Sequence, residues 1–253
     1  MPGVTYRIPS KGLTYTNGEL ADEVVDGEIL VYPMTTLDEI YLRTPDMLFQ
    51  GTAVQKVISR CCPQVQKPLE LLSKDVDFIL TAMRQVSYGD IMTVPYKCDC
   101  EKAKYVDLEV PVSSFMKKTK EMTEDELANA NFTLNGFVFK TKYVTFAKMI
   151  EINQGAGDFE TPDGIYTTFI DNLVASISSV DTYEDQDIIK DFVRDLDREF
   201  QYKILENIQR INVWGMRLEH EFVCKYCGEK RTTPISLNPV SFFTQPSSQE
   251  IDS

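Results

Sequence analysis

Ile91-Met92-Thr93-Val94-Pro95-Tyr96-Lys97-Cys98-Asp99-Cys100 and, far downstream, Leu218-Glu219-His220-Glu221-Phe222-Val223-Cys224-Lys225-Tyr226-Cys227-Gly228 read as versions of one another. Each is followed by a similar apolar tag, Leu108-Glu109-Val110-Pro111-Val112-Ser113-Ser114-Phe115 in the first copy and Leu237-Asn238-Pro239-Val240-Ser241-Phe242-Phe243 in the second. Apolar residues alternate before each cysteine pair (Ile91, Val94, Tyr96; Leu218, Phe222) and after it (Tyr105, Val106, Leu108; Ile235, Leu237). Period-two alternation around a turn predicts strand, turn, strand in both copies, so each resembles half of a zinc ribbon.

Thiolates one or two residues apart can face the same tetrahedral ion, and two such turns brought together supply the four sulfurs of a closed structural zinc site. The predicted ligands are Cys98, Cys100, Cys224 and Cys227, a set that would tie residue 98 to residue 227. Gly228 makes the second pair a good knuckle, whereas Glu101 stands where a glycine would ease the first turn. Three readings stay open: one structural zinc, small cysteines packed as core, or a disulfide between the copies in an oxidising compartment.

Outward from the hairpins, Gly27 to Pro33 reads as a short strand after a turn-rich opening segment. Thr36 with Glu39 forms a capping box for a short helix through Arg43. Pro45 opens another that carries Leu48, Val54, Val57, Ile58 and Cys61 before Pro63, and a third runs from about Ser73 to Tyr88. Thr123 to Glu126 opens a short helix, and Phe132 to Phe146 has strand character with Asn135-Gly136 as a hairpin turn. A helix carrying Ile165, Phe169, Leu173 and Ile177 follows. A second, about 30 residues long, starts near Glu184 and carries Ile189, Val193, Leu196, Phe200, Ile204, Ile208 and Ile211. Its Asp191/Arg194 and Asp195/Arg198 pairs have supportive spacing.

The expected fold class is α+β: a helical N-terminal unit with β-hairpins, two cysteine-bearing hairpins and a long C-terminal helix. The expected divisions are 1–115, a mixed connecting region 116–163, the helices and second cysteine hairpin 164–243, and a polar tail 244–253. With 253 residues, 43% apolar and 26% charged, the chain can bury a real core. Met1 to Ser10 holds no apolar run and no stretch reads as a membrane span, so a reducing cytoplasm is the expected setting until assembly.

A net charge of −13, from 39 acids and 26 bases, repels phosphate backbones. The basic runs Lys117-Lys118-Thr119-Lys120 and Lys225 to Arg231 are short, so protein partners are expected rather than nucleic acid. A zinc-ribbon adaptor for nucleic acid or a polymerase is the competing class, and it would require salt-sensitive binding that this charge opposes. No catalytic constellation emerges. His220 is the sole histidine, a strand residue or a spare zinc ligand, and Cys61 and Cys62 read as buried helix-end thiols. Gly155-Ala156-Gly157 lacks the third glycine of a dinucleotide cradle, and Asp158 to Gly164 fails calcium-loop spacing. Asp75/Asp77 and Asp185/Asp187 point to different sides of a helix and cannot form a proton-sharing dyad.

Four motifs, Ile8-Pro9-Ser10-Lys11-Gly12, Pro33-Met34-Thr35-Thr36 with Glu39, Thr44-Pro45-Asp46 with Leu48, and Ser87-Tyr88-Gly89-Asp90 entering a cysteine hairpin, resemble the T4-type bacteriophage baseplate hub family. That group includes a hub subunit and a hub assembly factor. The resemblance covers mainly the first 115 residues. It implies a non-enzymatic late protein of contractile-tail assembly, made in the host cytoplasm and placed in the virion baseplate. The expected partners are other hub and tail proteins or a second copy, with no nucleic acid, membrane or small-molecule substrate. Whether such a protein stays in the particle or leaves after assembly remains open at this point.

Overall fold

The computed structural model describes residues 2–98, 105–155, 161–235, 237 and 242–243. β1 (Val4–Arg7) and β2 (Glu28–Val31) pair antiparallel, with Val4 opposite Val31. The turn between them closes where Gly27 meets the backbone of Lys11. A Cβ on Gly27 would lie 2.7 Å from Lys11 Cα, and its φ of +68° already excludes most side chains.

α1 (Thr36–Leu42) starts from a capping box one residue earlier than the sequence spacing suggested. Thr35 has the extended backbone of an N-cap, and its partner at the third helical position is Asp38. Asp38 is buried and also accepts from Arg60 Nε at 2.5 Å. Burial pushes this carboxyl up, but hydrogen bonds from Thr35 and Arg60 outweigh it and hold the acid below its ordinary value. Arg60 belongs to α3 (Thr52–Cys61), which is separated from α2 (Pro45–Phe49) by Gly51. The single helix expected from Pro45 is broken there because Gly51 adopts φ +71°. A Cβ at Gly51 would stand 2.1 Å from Ile150 Cδ1, so only glycine admits the neighbouring helix this closely.

After a 3-10 turn at Pro68–Glu70, α4 (Ser73–Tyr88) runs through the first core. Val76, Phe78, Ile79, Leu80, Ala82 and Met83 are all buried, so this helix is covered on most of its circumference. Gly89 and Asp90 then turn the chain into β3 (Ile91–Lys97), which pairs antiparallel with β4 (Tyr105–Pro111), as the alternation predicted. Asp90 secures the base of this hairpin by accepting from Ser113 N, Ser113 Oγ and Gln85 Nε2. The first tag begins α5 (Val112–Lys117), which buries Val112 and Phe115. Phe242 and Phe243 of the second tag enter the same core, as does Ile235, so packing accounts for these tag residues. Pro239, Val240 and Ser241, and the tail beyond residue 243, lie outside the described residues.

A capping box of Thr123 and Glu126 starts α6 (Glu124–Ala128). β5 (Asn131–Leu134) and β6 (Phe137–Thr141) form the expected hairpin. Its two turn residues, Asn135 and Gly136, both have positive φ, the signature of a turn that follows strand twist. α7 (Phe146–Gly155) and α8 (Pro162–Ala175) lead to β7 (Ile177–Val180), which joins the sheet beside β6. Ile177 therefore ends up in a strand, and Ile165, expected on a packed face, is 57% exposed.

The long helix expected from Glu184 is two helices, α9 (Gln186–Asp195) and α10 (Arg198–Ile211). Leu196 is extended, and Asp197 caps α10 by accepting from Phe200 N at 2.8 Å. Gln201 Nε2 donates to Val193 O at the end of α9, satisfying a carbonyl that the break leaves open. The apolar spacing continues across the break because Ile189, Val193, Ile204 and Ile208 face one core, shared with Phe139, Ile170 and Leu173. Asp191 pairs with Arg194 at 3.4 Å, but the break intervenes between Asp195 and Arg198, which form no ion pair. β8 (Glu219–Val223) and β9 (Lys230–Pro234) form the second cysteine hairpin. Among the described residues no helix is long and apolar enough to cross a membrane.

A third cluster of Leu72, Met122 and Trp214 lies beside Tyr15 and Tyr143. Next to it Asp75 is completely buried and accepts from Ser10 N at 2.9 Å and Tyr15 OH at 2.5 Å. Burial outweighs these bonds and raises its pKa from 3.8 to about 6. Its contribution to stability is therefore full below about pH 3.8 and is lost as pH rises through about 6. The predicted loss is on the order of 3 kcal/mol. Asp75→Asn should flatten urea-unfolding stability across that window, leaving the drift from Asp77, which burial also raises to about 6 against Lys74. An unchanged pH profile in the variant would remove Asp75 as the titrating group.

Candidate metal centre

The two cysteine hairpins meet at their tips. Cys98 follows the last residue of β3, and Cys224 and Cys227 occupy the turn between β8 and β9. The hairpins are held together below the tips by Tyr96 and Phe222, whose rings pack edge to face at 4.6 Å. Phe222 is in turn stacked parallel to His220, with 6.3 Å between centroids.

The second turn has the construction of a knuckle. Gly228 N donates to Cys224 O at 2.8 Å, Cys224 N donates to Glu229 O at 2.9 Å, and Gly228 supplies the φ of +73° that reverses the chain. The backbone N–H groups of Cys227 and Tyr226 point at the Cys224 sulfur and, with the neighbouring thiols of Cys98 and Cys227, bring its pKa down from 9.0 to about 7. Donors that stabilise a thiolate also prepare a sulfur for a cation.

Cys98 Sγ lies 3.9 Å from Cys227 Sγ, and the sulfurs of Cys98, Cys224 and Cys227 are all within 4.8 Å of one another. A zinc–sulfur bond of about 2.3 Å places the sulfurs of a tetrahedral site roughly 3.8 Å apart, so a slight contraction would bring these three to bonding distance. The residues fit a metal of this kind: three soft donors, two of them buried, one at the surface, and a backbone that already favours the ionised form. A cluster able to hold a metal is therefore present.

Three of the four predicted ligands are thus brought together, and Cys100, with Glu101, lies outside the described residues. His220 is not in the cluster. Burial and Lys118 lower its pKa below the ordinary value, and it serves as a stacked strand residue. Cys61 and Cys62 are buried at the end of α3, as expected. Burial and Asp38 push Cys61 up to about 12, and burial pushes Cys62 higher still. Ala156 and Gly157 of the GxG loop, and Asp158, Phe159 and Glu160 of the stretch that runs to Gly164, lie outside the described residues.

One neighbour escaped the sequence reading. Arg231 on β9 stands beside Cys227, whose thiol raises the guanidinium's pKa, and it also pairs with Glu229. The only signal was its place in a basic run that reads as a solvated loop. Opposite Phe222 in the β8–β9 register, it brings positive charge to an emerging set of thiolates.

Small antiparallel hairpins on helical cores, without a catalytic arrangement among the described residues, define an α+β protein organised around long-range contacts. The family model described as T4 bacteriophage base plate protein matches residues 26–244, a span that includes both cysteine hairpins. The chain belongs to this family of phage baseplate proteins. Membership places it in the virion tail baseplate, in a structural role exercised through contacts with other baseplate and tail proteins. No curated protein and no solved structure gives a significant match.

Alkylation with iodoacetamide at pH 7.5, followed by peptide mapping, should separate the thiols. In metal-stripped native protein the Cys98/Cys224/Cys227 cluster is expected to react, whereas Cys61 and Cys62 should stay unmodified until unfolding. Equal labelling of Cys61 and Cys224 would contradict the difference in their environments.

Proposed function

We propose that the chain is a structural subunit of the baseplate hub, retained in the finished particle, that acts through protein contacts and without catalysis. The observation that carries this reading is the family match over residues 26–244, and the resemblance of the motifs between Ile8 and Asp90 to the hub family favours the hub within the baseplate. Synthesis late in infection and assembly in the host cytoplasm go with that role. Quantitative mass spectrometry of purified particles should find the chain in fixed proportion to other baseplate proteins. Its absence from particles, together with a need for it in hub formation, would replace the reading with that of an assembly factor that departs.

One structural zinc ion completes the proposal, bound by Cys98, Cys224 and Cys227, with Cys100 as the fourth ligand of the sequence motif. The approach of three sulfurs from positions 129 residues apart supports it. Zinc would hold the two hairpins together and contribute directly to folding stability. Protein purified without chelator is expected to carry one zinc per chain by elemental analysis. Cys224→Ser with Cys227→Ser should abolish that zinc and lower the thermal midpoint by about 5–10 °C. An unchanged midpoint and no zinc in the parent protein would reduce the cluster to packed thiols.

A further inference from the structure

The second core is not closed on all sides. Between β6, the end of β7 and the first turns of α9 lies a groove of about 310 Å³. Phe137 and Phe192, with ring centroids 5.2 Å apart, belong both to this groove and to the margin of the core, so the groove is an opening into packed apolar side chains. Tyr183 and Ile188 also line it and are 59% and 52% exposed. Large apolar groups gathered at such an opening leave surface that an apolar side chain from elsewhere would remove from water.

Charge narrows the occupant. Among the described residues Asp181 is the one charged residue lining the groove, and Glu184 and Asp185 follow Tyr183 directly. Asp181 accepts from Val138 N, and Asp185 accepts from Asp187 N and Ile188 N. These backbone donors satisfy hydrogen bonds, and at Asp185 the start of α9 adds only a partial positive charge. Among the described residues none of the three forms an ion pair. Of the ammonium groups nearby, Lys190 pairs with Asp171 at 2.5 Å, and Lys142 donates to the neutral Gln186 at 2.8 Å, one cation beside three acids. A negative rim around an apolar opening rejects acidic segments and favours a cationic one that also carries large apolar groups.

We propose that this groove is a docking site for a basic, apolar segment of a partner protein. The inference deepens the baseplate reading by naming a contact surface, and it rests on that reading for the existence of partners. Ile188 and Tyr183 flank the incoming apolar anchors, Phe137 and Phe192 receive them, and Asp181, Glu184 and Asp185 attract the flanking cations. The same charge orients the segment before contact.

Full-length protein can be tested by fluorescence anisotropy with a labelled amphipathic peptide of lysine and leucine, and with its glutamate-for-lysine counterpart. The basic peptide is expected to bind and the acidic one not to bind. Ile188→Ser should weaken binding at least about 10-fold, as loss of one buried apolar anchor does. Glu184→Lys should weaken it severalfold and reduce its salt dependence, while Ile165→Ser, an equally exposed position outside the groove, should leave it unchanged. Thermal midpoints equal to the parent's would show that the variants remain folded. No binding of the basic peptide overturns the proposal, and so does equal loss in Ile188→Ser and Ile165→Ser. Weakening by Glu184→Lys alone would mean a bare acidic surface, and concentration-dependent dimers lost in Ile188→Ser would make the occupant a second copy. Each of these results also rejects the proposal. None bears on retention in the particle, so failure here is distinguishable from failure of the hub reading.

Discussion

Asp75 accepts from Ser10 N and Tyr15 OH in a site closed to water, while Tyr15 OH accepts from Leu72 N at the start of α4. An unpartnered carboxylate there would be costly, so the opening loop and the buried helix must be placed together. Met122 N donates to Pro9 O within the same loop, and Lys120 and Gly215 exchange backbone hydrogen bonds. Lys74, one residue before Asp75, donates to Asn212 O and Trp214 O after α10. The first turn of α4 is thus where the N-terminal loop, the middle of the chain and the end of the helical region are joined.

The cysteine tips impose a second constraint of similar range. Their hairpins could have stood apart as two solvated ribbons, but Tyr96 packs on Phe222 and the thiols meet beyond that contact. Ile235, Phe242 and Phe243 then enter the core formed by α3, α4 and β2. The carboxy-terminal segment consequently completes a core whose other members lie within the first 115 residues. Segments from both ends of the described chain thereby converge on one body.

The hairpins were legible because alternating Ile91, Val94 and Tyr96, and then Phe222, leave little choice of face once the turn residues are placed. The cysteine partnership was legible in residue type and spacing, and three of its members do meet. The break at Leu196 was hidden because two helices that pack on one core preserve an apolar period across their junction. Asp197 was the available clue, since aspartate is a preferred N-cap. Asp75 was equally obscure: an acid in the first turn of a helix ordinarily faces water and the helix dipole, and only the distant Ser10 and Tyr15 make its burial tolerable. Arg231 was read as loop charge because its closeness to Cys227 arises from the register of β8 with β9, which the basic run does not reveal.

The meeting of Cys98 with Cys227 also sets an order in time. The two residues are 129 positions apart, and at a synthesis rate of roughly 5–20 residues per second the first hairpin emerges about 6–26 s before its counterpart exists. The first core waits still longer, because Phe242 and Phe243 are among the last residues described. A ribosome that stops early therefore releases a chain with neither the thiol cluster nor a finished core. Synthesis through Phe243 is thus a condition for closing the first core, and a chain that stops before it cannot present the surface built on that core.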